Sequence, residues 1–164
     1  IDCRVIIFGR KNTGNKLMTE ANDNAANRIT DVLREYWEAK KGSNPYPSRT
    51  DFEKKDLKEI WNDCFVIQVV DGKTFKYEYL GDQIDEAYAD ELQGKEIIED
   101  LLYPESPGVL IKFKETMQVC KPLEYEGAFI NKNNEDIKFR KILLPVGSKG
   151  KVTHIIGGMR WRAF

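Results

Sequence analysis

A single histidine, His154, stands in 164 residues. Any nucleophilic site that needs an imidazole base would have to be built around it. The three cysteines, Cys3, Cys64 and Cys120, are odd in number, lie far apart and form no C-x-x-C pair. They read as reduced thiols of a cytoplasmic protein, with neither a disulfide framework nor a metal-ligating cluster expected. No sign of charge dominates: 26 Lys and Arg stand against 27 Asp and Glu. A nucleic-acid partner would call for a basic excess that is missing. No apolar run approaches the ~18 residues of a membrane-spanning helix, so no membrane partner is expected. The short run Val5–Phe8 has neither the longer apolar region nor the small-residue cleavage site of a secretory signal. G-x-S-x-G, H-E-x-x-H and the P-loop are absent as well.

What is present has the composition of one soluble domain, 41% hydrophobic and 32% charged. Its clearest signal runs from Cys64 to Gly94. Cys64–Val70 is rich in β-branched and aromatic residues, and Asp71-Gly72 is a strong type I′ hairpin pair. On the return strand Phe75, Tyr77 and Tyr79 alternate with Lys76, Glu78 and Leu80, which predicts one aromatic face. Gly81 breaks that strand. A helix carrying Ile84, Ala87, Tyr88 and Leu92 on one face is then expected to run to a stop at Gly94.

Around this hairpin the chain divides into three parts. Residues 1–19 form an N-terminal segment in which Ile1–Gly9 has the content of a short strand. Residues 20–62 form a helical extension. Its first helix spans about Glu20 to Lys41, with Ala26, Ile29, Leu33, Tyr36 and Trp37 at three- and four-residue steps. A second helix is expected from the capping pair Thr50 and Glu53, with Phe52, Leu57, Ile60 and Trp61 apolar. Residues 63–164 form the core. After Gly94, Ile97, Ile98, Leu101 and Leu102 suggest a short helix ended by Pro104. Ser106-Pro107 opens a longer one presenting Leu110, Phe113, Met117 and Cys120. Leu123–Ile130, Ile137–Val146 and Lys151–Trp161 read as strands. The order β-β-α-α-α-β-β-β, with the first hairpin meeting the last strand, gives one five-stranded antiparallel sheet in an α+β fold.

Leu92-Gln93-Gly94-Lys95 resembles the "eLlGk" of PAS domains, and Leu101-Leu102-Tyr103-Pro104-Glu105 resembles the "dl.hPeD" that follows it. Tyr36-Trp37, Pro47-Ser48-Arg49-Thr50-Asp51 and Tyr79-Leu80-Gly81 are similar to small stand-alone bacterial PAS proteins. The resemblance covers about Arg34 to the end. It implies a PAS-like sheet with short helices across one face, preceded by two N-terminal helices. It also implies a sensory module of bacterial signal transduction that acts on another protein. Haem-binding relatives ligate through a histidine on the helix corresponding to Ser106–Lys121, which has none. Flavin-binding light sensors carry G-x-N-C-R-F-L-Q where this chain has Gly-Lys-Glu-Ile-Ile-Glu from Gly94. Neither cofactor is expected.

Two readings of the aromatic residues stand side by side. Tyr77, Tyr79, Tyr88, Phe113, Met117, Phe139 and Met159 converge either as plain core or as the wall of a small-ligand cavity. Lys141, between Phe139 and Leu143 in alternation, would share that face and need an anionic or solvent partner. His154 reads as a partly exposed strand residue. The other sheet face is expected to carry Phe65, Ile67, Val69, Ile142, Leu144 and Ile156. The helix with Ile29, Leu33, Tyr36 and Trp37 is the natural cover for that face, from its own chain or from a partner, and a homodimer built from this helix and the outer face, or a protein partner there, is expected. The leading expectation is thus a non-enzymatic sensory or scaffolding module that binds a small molecule, a protein partner or both. The alternative is a small-anion-binding cavity protein, or a cavity enzyme using Tyr and Lys side chains.

Overall fold

The computed structural model describes residues 16–98 and 108–163, with side chains from Ile29 onward. The expected strand at Ile1–Gly9 lies outside the described residues, as do Leu101, Leu102, Pro104 and the Ser106-Pro107 helix start. The hairpin forms where turn chemistry demands it. Asp71 and Gly72 both take positive φ, 53° and 69°, as a type I′ turn requires. They join β1 (Cys64–Val70) to β2 (Thr74–Leu80). The chain closes with β3 (Leu123–Ile130), β4 (Asp136–Ser148) and β5 (Lys151–Ala163). These five strands form one antiparallel sheet in the order β2-β1-β5-β4-β3. The free side of β2 is not bare: Gly94, Lys95 and Ile97 exchange backbone hydrogen bonds with Phe75 and Tyr77.

A β-bulge changes which side chains share a face. Val66 pairs with Tyr79 and Ile67 with Tyr77, so Glu78 is the extra residue. Past the bulge the alternation inverts. Leu80 joins Phe75 and Tyr77 on one face, and Tyr79 goes to the other. Pairing also corrects the faces expected for β1. Phe65 and Ile67 lie opposite Gly157 and Ile155, in the same layer as Leu143, Lys141 and Met159. They belong to the inner face, not with Ile142, Leu144 and Ile156 on the outer one.

The outer face is covered by α1 (Lys16–Lys41). Ile29, Leu33 and Trp37 are fully buried. Leu33 packs over Gly158 so closely that a methyl group there would lie 2.5 Å from its Cδ1. The Trp37 indole N–H donates to the Pro145 carbonyl at 2.8 Å. The expected interface residues Ile29, Leu33, Trp37, Ile142 and Ile156 are therefore core of the chain itself, and Ile67 lies on the opposite face. The Tyr36 hydroxyl is engaged within the chain too.

The second N-terminal helix is replaced by three short 3-10 turns, Arg49–Asp51, Lys54–Leu57 and Trp61–Asp63. Side chains claim the backbone groups that an α-helix would use. The Asp51 carboxylate accepts the Ser48 amide at 2.9 Å, and the Tyr36 hydroxyl accepts the Glu53 amide at 3.1 Å. Phe52 and Glu53 are consequently extended.

Across the inner face lie α2 (Asp82–Tyr88) and α3 (Gly108–Val119). α2 ends at Ala89 in left-handed conformation, well before Gly94, so Leu92 is buried from a loop. Ile97 and Ile98 are not helical. In α3 the buried stripe is Val109, Phe113 and Thr116, with Leu110 and Met117 at its margins.

Candidate inner-face cavity

Lys141 sits in the middle of the inner face. It is 2% exposed and flanked across the sheet by Tyr125 and Met159. Its ammonium lies 4.7 Å from the Phe139 ring centre, 5.7 Å from that of Tyr125 and 5.8 Å from that of Phe65. Such ring faces attract a cation. A fourth group comes from α2: the Tyr88 hydroxyl, 3.4 Å from Lys141 Nζ. Tyr88 is itself fixed, with its ring stacked on Phe129 at 4.8 Å. The β3–β4 turn grips the end of α2, since Asn131 Nδ2 donates to the Ala87 carbonyl at 3.0 Å. Asn131 Oδ1 in turn accepts the Asn133 and Glu135 amides, so one buried side chain closes the turn and anchors the helix.

Between these elements is a cavity lined by Phe65, Ile67, Tyr77, Leu80, Ile84, Tyr88, Phe113, Lys141 and Met159. Its free volume, about 10 Å³, is that of one water-sized particle. Five of the residues expected at a ligand site share this wall: Tyr77, Tyr88, Phe113, Lys141 and Met159. Phe139 stands behind it, supplying a ring to Lys141, and Met117 is half-buried outside it. Tyr79 is not there. It stacks on Trp61 at 4.9 Å on the outer side, its hydroxyl donating to the Trp61 carbonyl at 3.2 Å. Burial pushes that hydroxyl up to about 12. Sequence reasoning missed Leu80, which the bulge turns inward, and Asn131, whose signal was a lone asparagine heading a turn.

The other reactive groups lie elsewhere. His154 is on the outer face, its Nε2 3.2 Å from Glu78 Oε1 and its Nδ1 2.9 Å from Thr153 Oγ1. Burial holds its pKa below the ordinary 6.5 against the opposing pull of Glu78. The Cys64 thiol, also on the outer side, donates to the Ile60 carbonyl, and burial pushes it well above the usual thiol range. Among the described residues no three His, Cys, Asp or Glu side chains gather to hold a metal. A flavin or haem does not fit the wall as it stands: the free space is far smaller than either ring system, and among the described residues no cysteine or histidine lines it. What the wall offers is one ammonium and two phenols among apolar groups.

Residues 26–160 match a family described as the PAS domain. No curated protein matches the chain. Among solved structures, a light-oxygen-voltage domain studied with a flavin analogue is similar at 9% identity and a TM-score of 0.52, over 66% of this chain and 82% of that one. The N-terminal domain of a diguanylate cyclase with a PAS/PAC sensor from Marinobacter aquaeolei has 18% identity and a TM-score of 0.48, over 59% and 91%. A light-oxygen-voltage protein of Rhodobacter sphaeroides has 11% identity and a TM-score of 0.49, over 67% and 68%. The first of these likenesses concerns the fold alone, and it agrees with the five-stranded sheet and the helices across it. With the family matched over most of its length, the chain belongs to the PAS domain family.

Proposed function

We propose that the chain is a non-enzymatic sensory module of bacterial signalling, acting in the cytoplasm. It takes its input at the inner-face cavity and passes it through the sheet to α1 and a protein partner. Membership of the PAS family supports the sensory role in general. The observation that carries the finer reading is the adjacency of two residues on β5. Met159 lines the cavity, and Gly158, next to it, lies beneath Leu33 of α1. One strand thickness separates input from output. A displacement of β5 at the cavity must be taken up by the Leu33 contact, because packed interiors transmit strain.

The test is hydrogen exchange of the purified chain with and without Phe113→Ala, which enlarges the cavity from the α3 side. Faster exchange is expected in α1 from Thr30 to Lys41 as well as in α2 and α3. A change confined to α2 and α3, with α1 as protected as before, would sink the coupling.

A further inference from the structure

We infer that the chain pairs with a second copy of itself along β3, the two copies forming one continuous antiparallel sheet about a two-fold axis at Gly127. The sheet ends differently on its two sides. At β2 the backbone of Gly94, Lys95 and Ile97 takes up the edge. At the other side stands β3, paired with β4 without a bulge from Leu123 to Ile130. Its turn shows which backbone groups face outward. The Asn131 amide donates to the Glu135 carbonyl, so odd-numbered residues of β3 point their N–H and C=O at β4 and even-numbered ones point theirs away. The latter are Glu124, Glu126, Ala128 and Ile130. Among the described residues nothing bonds their backbone groups on that side. Glu126, Ala128 and Ile130 are also exposed, Ile130 by half. The strand has no proline, lysine or bulge to blunt it, and its glutamates already bind Arg34 and Arg140.

Register singles out the occupant. A two-fold axis at Glu126 would set that carboxylate against its own copy, and an axis at Ala128 would leave Glu124 past the end of the facing strand. With the axis at Gly127, Glu126 faces Ala128 and Glu124 faces Ile130 of the second copy. Every outward N–H and C=O of both strands is then paired. Gly127 meets its own copy at the kind of pair in which antiparallel backbones come closest. On the inner face Tyr125 comes opposite Phe129, an aromatic cross-strand pair, and on the outer face the Glu124 stem covers Ile130. Charge agrees as well. Lys138 is the β4 neighbour of Ala128, so the arriving Glu126 has a cation one strand away across a small side chain. A match at each position is what a self-complementary edge offers and an unrelated strand does not. The surface lies apart from the cavity, and α1, which rests on β4 and β5, stays open to a partner. The inference is therefore independent of the sensory reading.

The experiment follows the full chain over a range of protein concentrations by sedimentation equilibrium and by residue-resolved amide exchange. One strand edge is a small interface, so a weak dimer is expected, growing in at micromolar concentration and above. The amides of Glu124, Glu126, Ala128 and Ile130 should become protected in step with it. Those of Tyr125, Gly127 and Phe129, bonded to β4, should be protected throughout. Ala128→Pro removes an N–H that β4 does not use, where an edge strand tolerates proline. It should weaken association at least about ten-fold, through loss of that hydrogen bond and its symmetry mate, and leave the melting temperature of the dilute protein unchanged. Should Ala128→Pro not fold, the concentration dependence of the edge amides in the parent decides the question. A monomer whose edge amides stay open at every concentration, as they would if the edge served a strand of another protein, overturns the inference. So does a dimer whose edge amides exchange as freely as the monomer's, or one that a folded Ala128→Pro leaves intact.

Discussion

The two faces of the sheet are built from the same strands and are opposite in design. Outside, α1 lays Ile29, Leu33 and Trp37 on an apolar surface, and charge is kept to the margins. There Arg34 meets Glu124 at 2.8 Å, and Arg160 meets Asp63 at 3.2 Å. Inside, a charged group stands at the centre of the face, on Lys141. Surface ion pairs contribute little to stability, so the outer face is held by its dry contacts. Replacing a buried charged group by an apolar side chain of similar size is often neutral or stabilising. The outer face is thus a seal, and the inner face differs from it in carrying a buried charged group at its centre.

The largest test is to remove the seal. Trp37→Ala deletes a fully buried ring together with its hydrogen bond to Pro145, and should cost about 3–5 kcal/mol in urea denaturation. A cost below about 1 kcal/mol, that of a lone hydrogen bond, would mean that α1 is not what closes the outer face.

Two adjacent glycines sharpen the contrast, because each faces one side. A methyl group on Gly157 would stand 2.3 Å from the Ile142 carbonyl oxygen and 2.4 Å from the Phe65 ring. On Gly158 it would meet the tip of Leu33 at 2.5 Å, with the next atoms at 3.4 Å. Backbone cannot step aside, and a leucine methyl can. Gly157→Ala should therefore cost about 3 kcal/mol, the upper part of the usual overpacking range, and Gly158→Ala about 1 kcal/mol. Thermal unfolding of both variants gives the comparison, and equal costs would show that the two sides are equally yielding.

How much of this could be read beforehand depended on whether a signal was local. Asp71-Gly72, the apolar stripe of α1 and the final strands rest on turn chemistry and periodicity within a few residues, and each appears where expected. The bulge at Glu78 does not announce itself. Phe75, Tyr77 and Tyr79 alternate without a break, and only pairing with β1 reveals the extra residue that sends Tyr79 outward and Leu80 inward. The second N-terminal helix failed for a related reason. Its capping pair was legible, but the Tyr36 hydroxyl that claims the Glu53 amide comes from 17 residues away. Lys141 was placed on the inner face by simple alternation. Its aromatic surroundings needed β1, β3 and β4 to be assembled first.

The smallest expected effect concerns pH, and it asks whether the margin of the outer face is indeed inert. His154 faces Glu78 from β2, which also binds Arg49 of the first 3-10 turn at 3.2 Å, while Thr153 holds the other ring nitrogen. Burial depresses its pKa in the folded chain, and nearby Arg49 adds to this, while Glu78 works against them. Below about 6.5, the ordinary histidine value, the unfolded chain then binds more protons at this residue than the folded one does. The stability that His154 contributes is accordingly complete above that pH and is lost as pH falls through the lower folded value. Asp63 and Asp85, raised by burial, act in the opposite sense, but they do so equally in any variant of His154. The measurement is therefore a difference: urea midpoints of the parent and of His154→Gln at pH 7.5 and 5.5. The parent should lose more stability than the variant over that interval, by less than either glycine substitution costs. If the two lose the same amount, His154 is as inert as the rest of that margin, and Glu78 serves Arg49 alone.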